Sequence, residues 1–142
     1  MPSQLLGKWK LGKSDNFDNY MKQVGVNIAL RKMALIVSST SEITEEGENQ
    51  IRINTQSTFR SSNVLFPLGK EIDEHTMDDR DVKTTVVWDG DDKLLEIQRW
   101  EEGKDKKKRE TKIEWILTGD GKMILRLECE GVVCERHHER CT

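Results

Sequence analysis

Apolar residues fall at helical spacing in only one part of this chain and alternate with polar ones over most of the rest. Phe17, Tyr20, Met21 and Val24 recur at helical intervals, which predicts a short helix opened by Asp15-Asn16 and ended by Gly25. A second helix is expected over residues 26–36, with Val26, Ala29, Leu30, Met33 and Ala34 on one stripe. After about Ser38 the pattern changes. Residues 51–55, 82–88, 94–100, 111–118 and 123–129 are rich in β-branched and aromatic side chains and predict strands. Between them stand Glu46-Gly47-Glu48-Asn49, Leu68-Gly69-Lys70, Asp89-Gly90-Asp91-Asp92, Glu102-Gly103 and Thr118-Gly119-Asp120-Gly121, all of which tolerate a positive φ. Turns recurring roughly every ten residues predict an antiparallel meander of about ten strands, closed as a sandwich or a barrel.

Two strands carry more information than the others. Met123, Leu125, Leu127 and Cys129 share one face, against Arg126, Glu128 and Glu130 on the other, so this strand has a core side and a water side. In the last strand Val132, Cys134, Arg136 and His138 alternate with Val133, Glu135, His137 and Glu139. Neither face is apolar throughout. Such a strand belongs either at a sheet edge or against a partly polar interior, as in barrels wide enough to hold a ligand.

The composition narrows the class. The 142 residues suit one domain spanning 1–142, and 35% charged with 35% hydrophobic residues suits a globular chain rather than a disordered one. A net charge of -3 gives no argument for nucleic acid. No apolar run reaches the twenty or so residues of a membrane helix, and Met1-Pro2-Ser3-Gln4-Leu5-Leu6 lacks a secretory signature. Cys129, Cys134 and Cys141 are an odd number crowded at one end, which points to a reducing compartment and hence the cytoplasm.

Specific motifs then run through the whole chain in order. Gly7-Lys8-Trp9-Lys10-Leu11 with Asn16-Phe17-Asp18-Asn19-Tyr20-Met21 resembles the N-terminal signature of the intracellular lipid-binding proteins. Ser57-Thr58-Phe59-Arg60, Leu68-Gly69-Lys70-Glu71, Asp78-Asp79-Arg80 and Glu130-Gly131-Val132-Val133-Cys134 continue the similarity. That family includes the fatty-acid-binding proteins and the cellular retinol- and retinoic-acid-binding proteins. The resemblance implies an all-β fold, a ten-stranded antiparallel up-and-down barrel capped by a helix-turn-helix lid. It also implies a monomeric carrier of one retinoid or long-chain fatty acid, with no catalytic activity, no metal and no cofactor. Residues 26–32 and 84–91 look most like the retinol-binding branch, as does Glu114-Trp115-Ile116. Arg136 points instead to the fatty-acid and retinoic-acid branch, whose Arg-x-Tyr holds the ligand carboxylate; here the tyrosine is replaced by His138.

The resemblance therefore assigns ligand contact to Arg136, His138, Glu114, Trp115, Phe59, Arg80, Phe17, Leu125 and Leu127. Arg136 supplies a planar fork for a carboxylate. His138 is expected to donate to that carboxylate or to a hydroxyl, and Glu114 to accept from a retinol hydroxyl or to neutralise Arg136. Because residues 102–109 are extra, the family's second anion-binding position falls on either Glu114 or Trp115. Phe59 and Arg80 match the portal, and Lys22, Arg31 and Lys32 match lid positions that in some members touch membranes or form a nuclear-import patch.

Other readings carry less. Cys134, His137, His138 and Cys141 have metal-ligand chemistry, but on an extended strand 134 and 138 face away from 137. Residues 104–109 are basic yet hemmed by acids, and read as a solvated hairpin loop. No nucleophile elbow or glycine-rich phosphate loop is present, and His75, Asp78 and Asp79 fall in a predicted turn. The competing functional class is a family relative without lipid binding that serves as a protein-interaction domain.

Overall fold

The computed structural model describes residues 3–141; Met1 and Pro2 of the N-terminal stretch lie outside the described residues. Ten strands form one antiparallel sheet: β1 Gly7–Asp15, β2 Ser39–Glu45, β3 Gln50–Ser57, β4 Ser62–Pro67, β5 Ile72–His75, β6 Asp81–Trp88, β7 Lys93–Glu102, β8 Lys107–Leu117, β9 Met123–Cys129 and β10 Val132–Arg140. Two helices, α1 Phe17–Val24 and α2 Ile28–Ile36, lie between β1 and β2. The strand order β4-β3-β2-β1-β10-β9-β8-β7-β6-β5 joins sequence neighbours throughout, except that the first strand pairs with the last. That one pairing curls the meander into a nearly closed barrel. Between β4 and β5, which end the ladder, the chain crosses at Leu68-Gly69-Lys70, where Gly69 has φ +77° and donates its N–H to the Val86 carbonyl at 2.9 Å.

Up-and-down connectivity sorts the turns to two ends. The β2–β3, β6–β7 and β8–β9 hairpins share one end, where Trp9, Ile43, Leu94 and Met123 are fully buried. The β3–β4, β5–β6 and β7–β8 turns share the other, beside the helices. β9 alternates as expected, with Met123, Leu125, Leu127 and Cys129 buried. β10 is a central strand between β1 and β9, so its mixed faces belong to a partly polar interior and not to an edge.

Three expectations about element limits need correction. α2 starts at Ile28 because Asn27 caps it, its side chain accepting from the Leu30 N–H at 3.0 Å. None of its residues is fully buried, and Ala29 and Met33 are exposed while Leu30 and Ala34 are half-buried, so the expected stripe is narrower. Asn16 precedes α1 in the left-handed region and makes no side-chain cap. The basic run is not all loop: β8 begins at Lys107, whose neighbours Lys108 and Arg109 face Glu101 and Trp100 across the ladder while Lys107 faces Glu102. Arg109 is buried there, paired with Glu102 at 2.5 Å and with Glu130 at 2.9 Å.

Candidate functional site

The barrel encloses a cavity of about 260 Å³, lined by strands from both halves of the sheet and covered by α1, α2 and the β3–β4 and β5–β6 turns. Its wall is mainly apolar, with Met21, Ile53, Phe66, Ile113, Leu125 and Leu127 among the contributors. Eight of the nine expected residues line it: Arg136, His138, Trp115, Phe59, Arg80, Phe17, Leu125 and Leu127.

Glu114 does not. On β8 the inward positions are Arg109, Thr111, Ile113 and Trp115, so Glu114 faces outward one residue out of phase. Its carboxylate meets Lys93 at 2.8 Å and Arg126 at 3.1 Å, not Arg136. Burial opposes ionisation there, but the bonds and charges of Lys93, Lys112 and Arg126 outweigh it and hold the carboxyl below its ordinary range. Of the two positions left open by the extra hairpin residues, Trp115 is the one that lines the cavity.

Arg136 stands on β10 opposite Leu125 of β9 and Ser14 of β1. β1 bulges between Leu11 and Ser14, and the extra residue returns Ser14 to the same face as Leu11. Ser14 Oγ thereby accepts from Arg136 Nε at 3.0 Å. The guanidinium lies 3.8 Å from the centre of the Phe17 ring, an aromatic face supplied by the start of α1. Among the described residues no carboxylate forms an ion pair with it. Burial accordingly pulls its pKa down to about 10.

His138, two residues on, is buried, and burial lowers its pKa to about 4, so the ring is neutral. Its Nδ1 lies 3.1 Å from the Arg136 carbonyl, which can only accept. The ring's one N–H is therefore spent on the backbone, leaving Nε2 an acceptor. The expected donation from His138 to a carboxylate is thus replaced by the opposite polarity. His137 faces outward to Asp15 at 3.1 Å while Cys134 and His138 are buried, which divides the cysteine-histidine cluster between the two faces.

A second polar group of residues was foreseen only at Arg80. Glu96 on β7 is buried, lines the cavity, and accepts from Trp115 Nε1 at 3.1 Å. Burial first, then the nearby Glu74 charge, push its pKa up to about 7. Gln98 donates to Glu96 Oε2 at 3.4 Å and accepts from Arg80 Nη2 at 3.2 Å. Arg80 is held by Asp78 at 2.5 Å and lies over the Trp100 ring. The signal was present in β7, where Leu94, Glu96 and Gln98 share the inward phase.

The mouth is tied across. Arg60 Nη1 donates to the Met77 carbonyl at 2.7 Å and to Asp79 at 2.8 Å, linking the β3–β4 turn to the β5–β6 turn, with Phe59 part-exposed between cavity and surface. On the lid, Lys22 and Arg31 both pair with Asp18, at 3.4 and 3.0 Å, while Lys32 is exposed. His75 bonds Asp81 at 2.8 Å on the exterior, apart from Asp78.

The sequence matches the Lipocalin / cytosolic fatty-acid binding protein family over residues 6–140. Among solved structures, the fatty-acid-binding protein of Drosophila melanogaster brain tissue is 40% identical, with TM-score 0.80 and coverage of 95% of this chain and 98% of that one. The REP1-NXSQ fatty acid transporter is 38% identical, with TM-score 0.84 and coverage of 97% and 96%. The Schistosoma mansoni fatty acid binding protein, solved with arachidonic acid, is 33% identical, with TM-score 0.87 and coverage of 99% and 98%.

Proposed function

The chain belongs to the lipocalin and cytosolic fatty-acid binding protein family, and on that premise we propose that it is a cytoplasmic, non-enzymatic carrier of one long-chain fatty acid. The single observation that supports this reading is Arg136: a buried guanidinium in an apolar cavity with no carboxylate paired to it among the described residues. A fatty acid supplies both the missing counter-charge and the hydrocarbon to fill the wall. Burial of the chain provides most of the affinity, at about 25 cal/mol per Å² before ordering costs. Relatives that bind fatty acids in their names, one of them solved with arachidonic acid, fit the same reading.

Retinol is the less favoured ligand, because Glu114, the residue that would have met its hydroxyl, faces away from the cavity. The open, mainly apolar cavity also counts against a relative that has become a pure interaction domain. Brief membrane contact during delivery belongs to the proposal, with Lys32 set beside exposed Ile28, Leu35 and Ile36 on α2.

The test is a competition titration of delipidated protein with oleate, all-trans-retinoic acid and all-trans-retinol. Saturable one-to-one oleate binding is expected. Arg136→Gln should weaken oleate about ten- to a hundredfold, the worth of one charge-assisted pair, and retinol far less. Equal losses for acid and alcohol would remove Arg136 as the anchor. Absence of saturable binding for all three would favour the interaction domain.

A further inference from the structure

Two groups among the polar residues that line the cavity stand on different strands. Arg136 and His138 stand on β10; Glu96 and Gln98 stand on β7, with Arg80 just before β6. The register runs Arg136 to Leu125, Leu125 to Trp115 and Trp115 to Leu94, so β9 and β8 separate the two groups with Leu125 and Trp115. Three inter-strand steps of about 4.8 Å make roughly 14 Å of wall. A simple fatty acid anchored at Arg136 would lay methylenes against the β7 group, which is costly because buried carboxyl and amide groups need partners.

That group has bonding capacity to spare. Glu96 Oε1 is taken by Trp115, but Oε2 has only the long contact from Gln98 at 3.4 Å. Glu96 and Gln98 are each 5% exposed, and both line the cavity. Arg80 lines the same cavity and keeps Nη1 buried without a hydrogen-bond partner among the described residues. The residues that line this one space thus hold a lightly used acceptor and an unused donor. A hydroxyl is the group that donates and accepts at once.

We infer that Glu96, Gln98 and Arg80 form a second polar subsite that receives a hydroxyl carried on the lipid chain itself, making hydroxylated long-chain fatty acids preferred ligands. This rests on the carrier reading above. The hydroxyl donates to Glu96 Oε2 and accepts from Arg80 Nη1 or the Gln98 amide, while the carboxylate remains at Arg136. The wall distance places the hydroxyl toward mid-chain rather than beside the carboxyl.

Oleate and ricinoleate differ by one mid-chain hydroxyl and make the test direct. Both are titrated against delipidated wild-type protein by displacement of a fluorescent fatty acid. Ricinoleate is expected to bind about three- to tenfold tighter, the worth of one net hydrogen bond. Glu96→Leu should erase or reverse that ratio. Gln98→Met, which keeps Glu96, should narrow the ratio and serves if the first variant folds poorly. Equal wild-type affinities, or a ratio that survives both substitutions, would overturn the subsite while leaving the carrier standing. Binding of neither lipid would remove the carrier reading, and the subsite with it.

Discussion

The indole N–H of Trp115 donates to Glu96 Oε1 at 3.1 Å inside the barrel, coupling a cavity aromatic to a buried carboxyl. The bond matters most when Glu96 is ionised, because a buried carboxylate depends on every donor it has. Trp115→Phe keeps the ring and removes the donor. The expected loss of stability is about 1–3 kcal/mol at pH 8, where Glu96 is charged, and clearly less at pH 5. Urea unfolding at the two pH values measures it. The same loss at both would mean the indole acts through packing alone.

Glu96 and His138 should oppose one another in the pH dependence of stability. The Glu96 pKa rises from 4.5 to about 7 on folding, so the native state holds more protons between those values and stability falls as pH rises through that window. The His138 pKa drops from 6.5 to about 4, so the unfolded state holds more protons and stability rises from pH 4 to 6.5. Glu74 and Arg80 near Glu96, and Arg136 and His137 near His138, modify but do not reverse these signs. Between pH 4.5 and 6.5 the two contributions largely cancel. Relative to wild type, Glu96→Gln should unmask the rising limb and His138→Gln the falling one. The Glu96 contribution amounts to about 3 kcal/mol at full extent. Difference profiles that stay flat for both variants would refute the opposition.

Arg136 should be a liability in the empty protein. Its charge is buried beside Ser14 and Phe17 with no carboxylate paired to it among the described residues, an arrangement that costs the fold desolvation energy. Arg136→Leu is expected to stabilise delipidated protein by about 1 kcal/mol or more and to reduce the extra stabilisation that oleate gives wild type. Thermal unfolding with and without oleate reads both effects. A destabilised variant would show that the bond to Ser14 and the contact with Phe17 outweigh the desolvation cost.

The sequence revealed the barrel better than it revealed the site, for identifiable reasons. Strand β9 was legible because Met123, Leu125, Leu127 and Cys129 alternate cleanly with charges. The limits of β8 were not, because Lys107 and Lys108 read as solvated until Glu102 and Glu101 are seen opposite them. That same hairpin moved the inward phase onto Trp115 and turned Glu114 out to Lys93 and Arg126, a one-residue change that no local pattern fixes. Ser14 reaches Arg136 only through a bulge, which is a property of pairing rather than of β1 alone. Glu96 was within reach: it shares the phase of Leu94, but an acid among apolar positions is ordinarily assigned to solvent.

The lid is fastened to the barrel by a short relay. Tyr20 of α1 donates its hydroxyl to Thr111 Oγ1 at 2.6 Å, because the Thr111 hydroxyl is itself committed to the Glu128 carbonyl at 2.8 Å. Burial raises the Tyr20 pKa well above its ordinary value, so the phenol stays protonated and remains a donor across the physiological range. Tyr20→Phe removes only the first link, and the ring continues to pack with Met21 and Val24 beneath the helix. The cost should be about 1 kcal/mol in global stability. The larger effect should be local: amides of residues 17–24 should exchange with solvent sooner than those of β8 and β9, and bound oleate should leave faster at little change in its association rate. Hydrogen exchange followed by mass spectrometry, with stopped-flow release of a fluorescent fatty acid, measures both. Unchanged exchange over α1 would mean that the apolar burial of Met21 and Val24, with the bonds of Asn16 to Val133 and of Gln23 to Glu130, holds the lid closed without this relay.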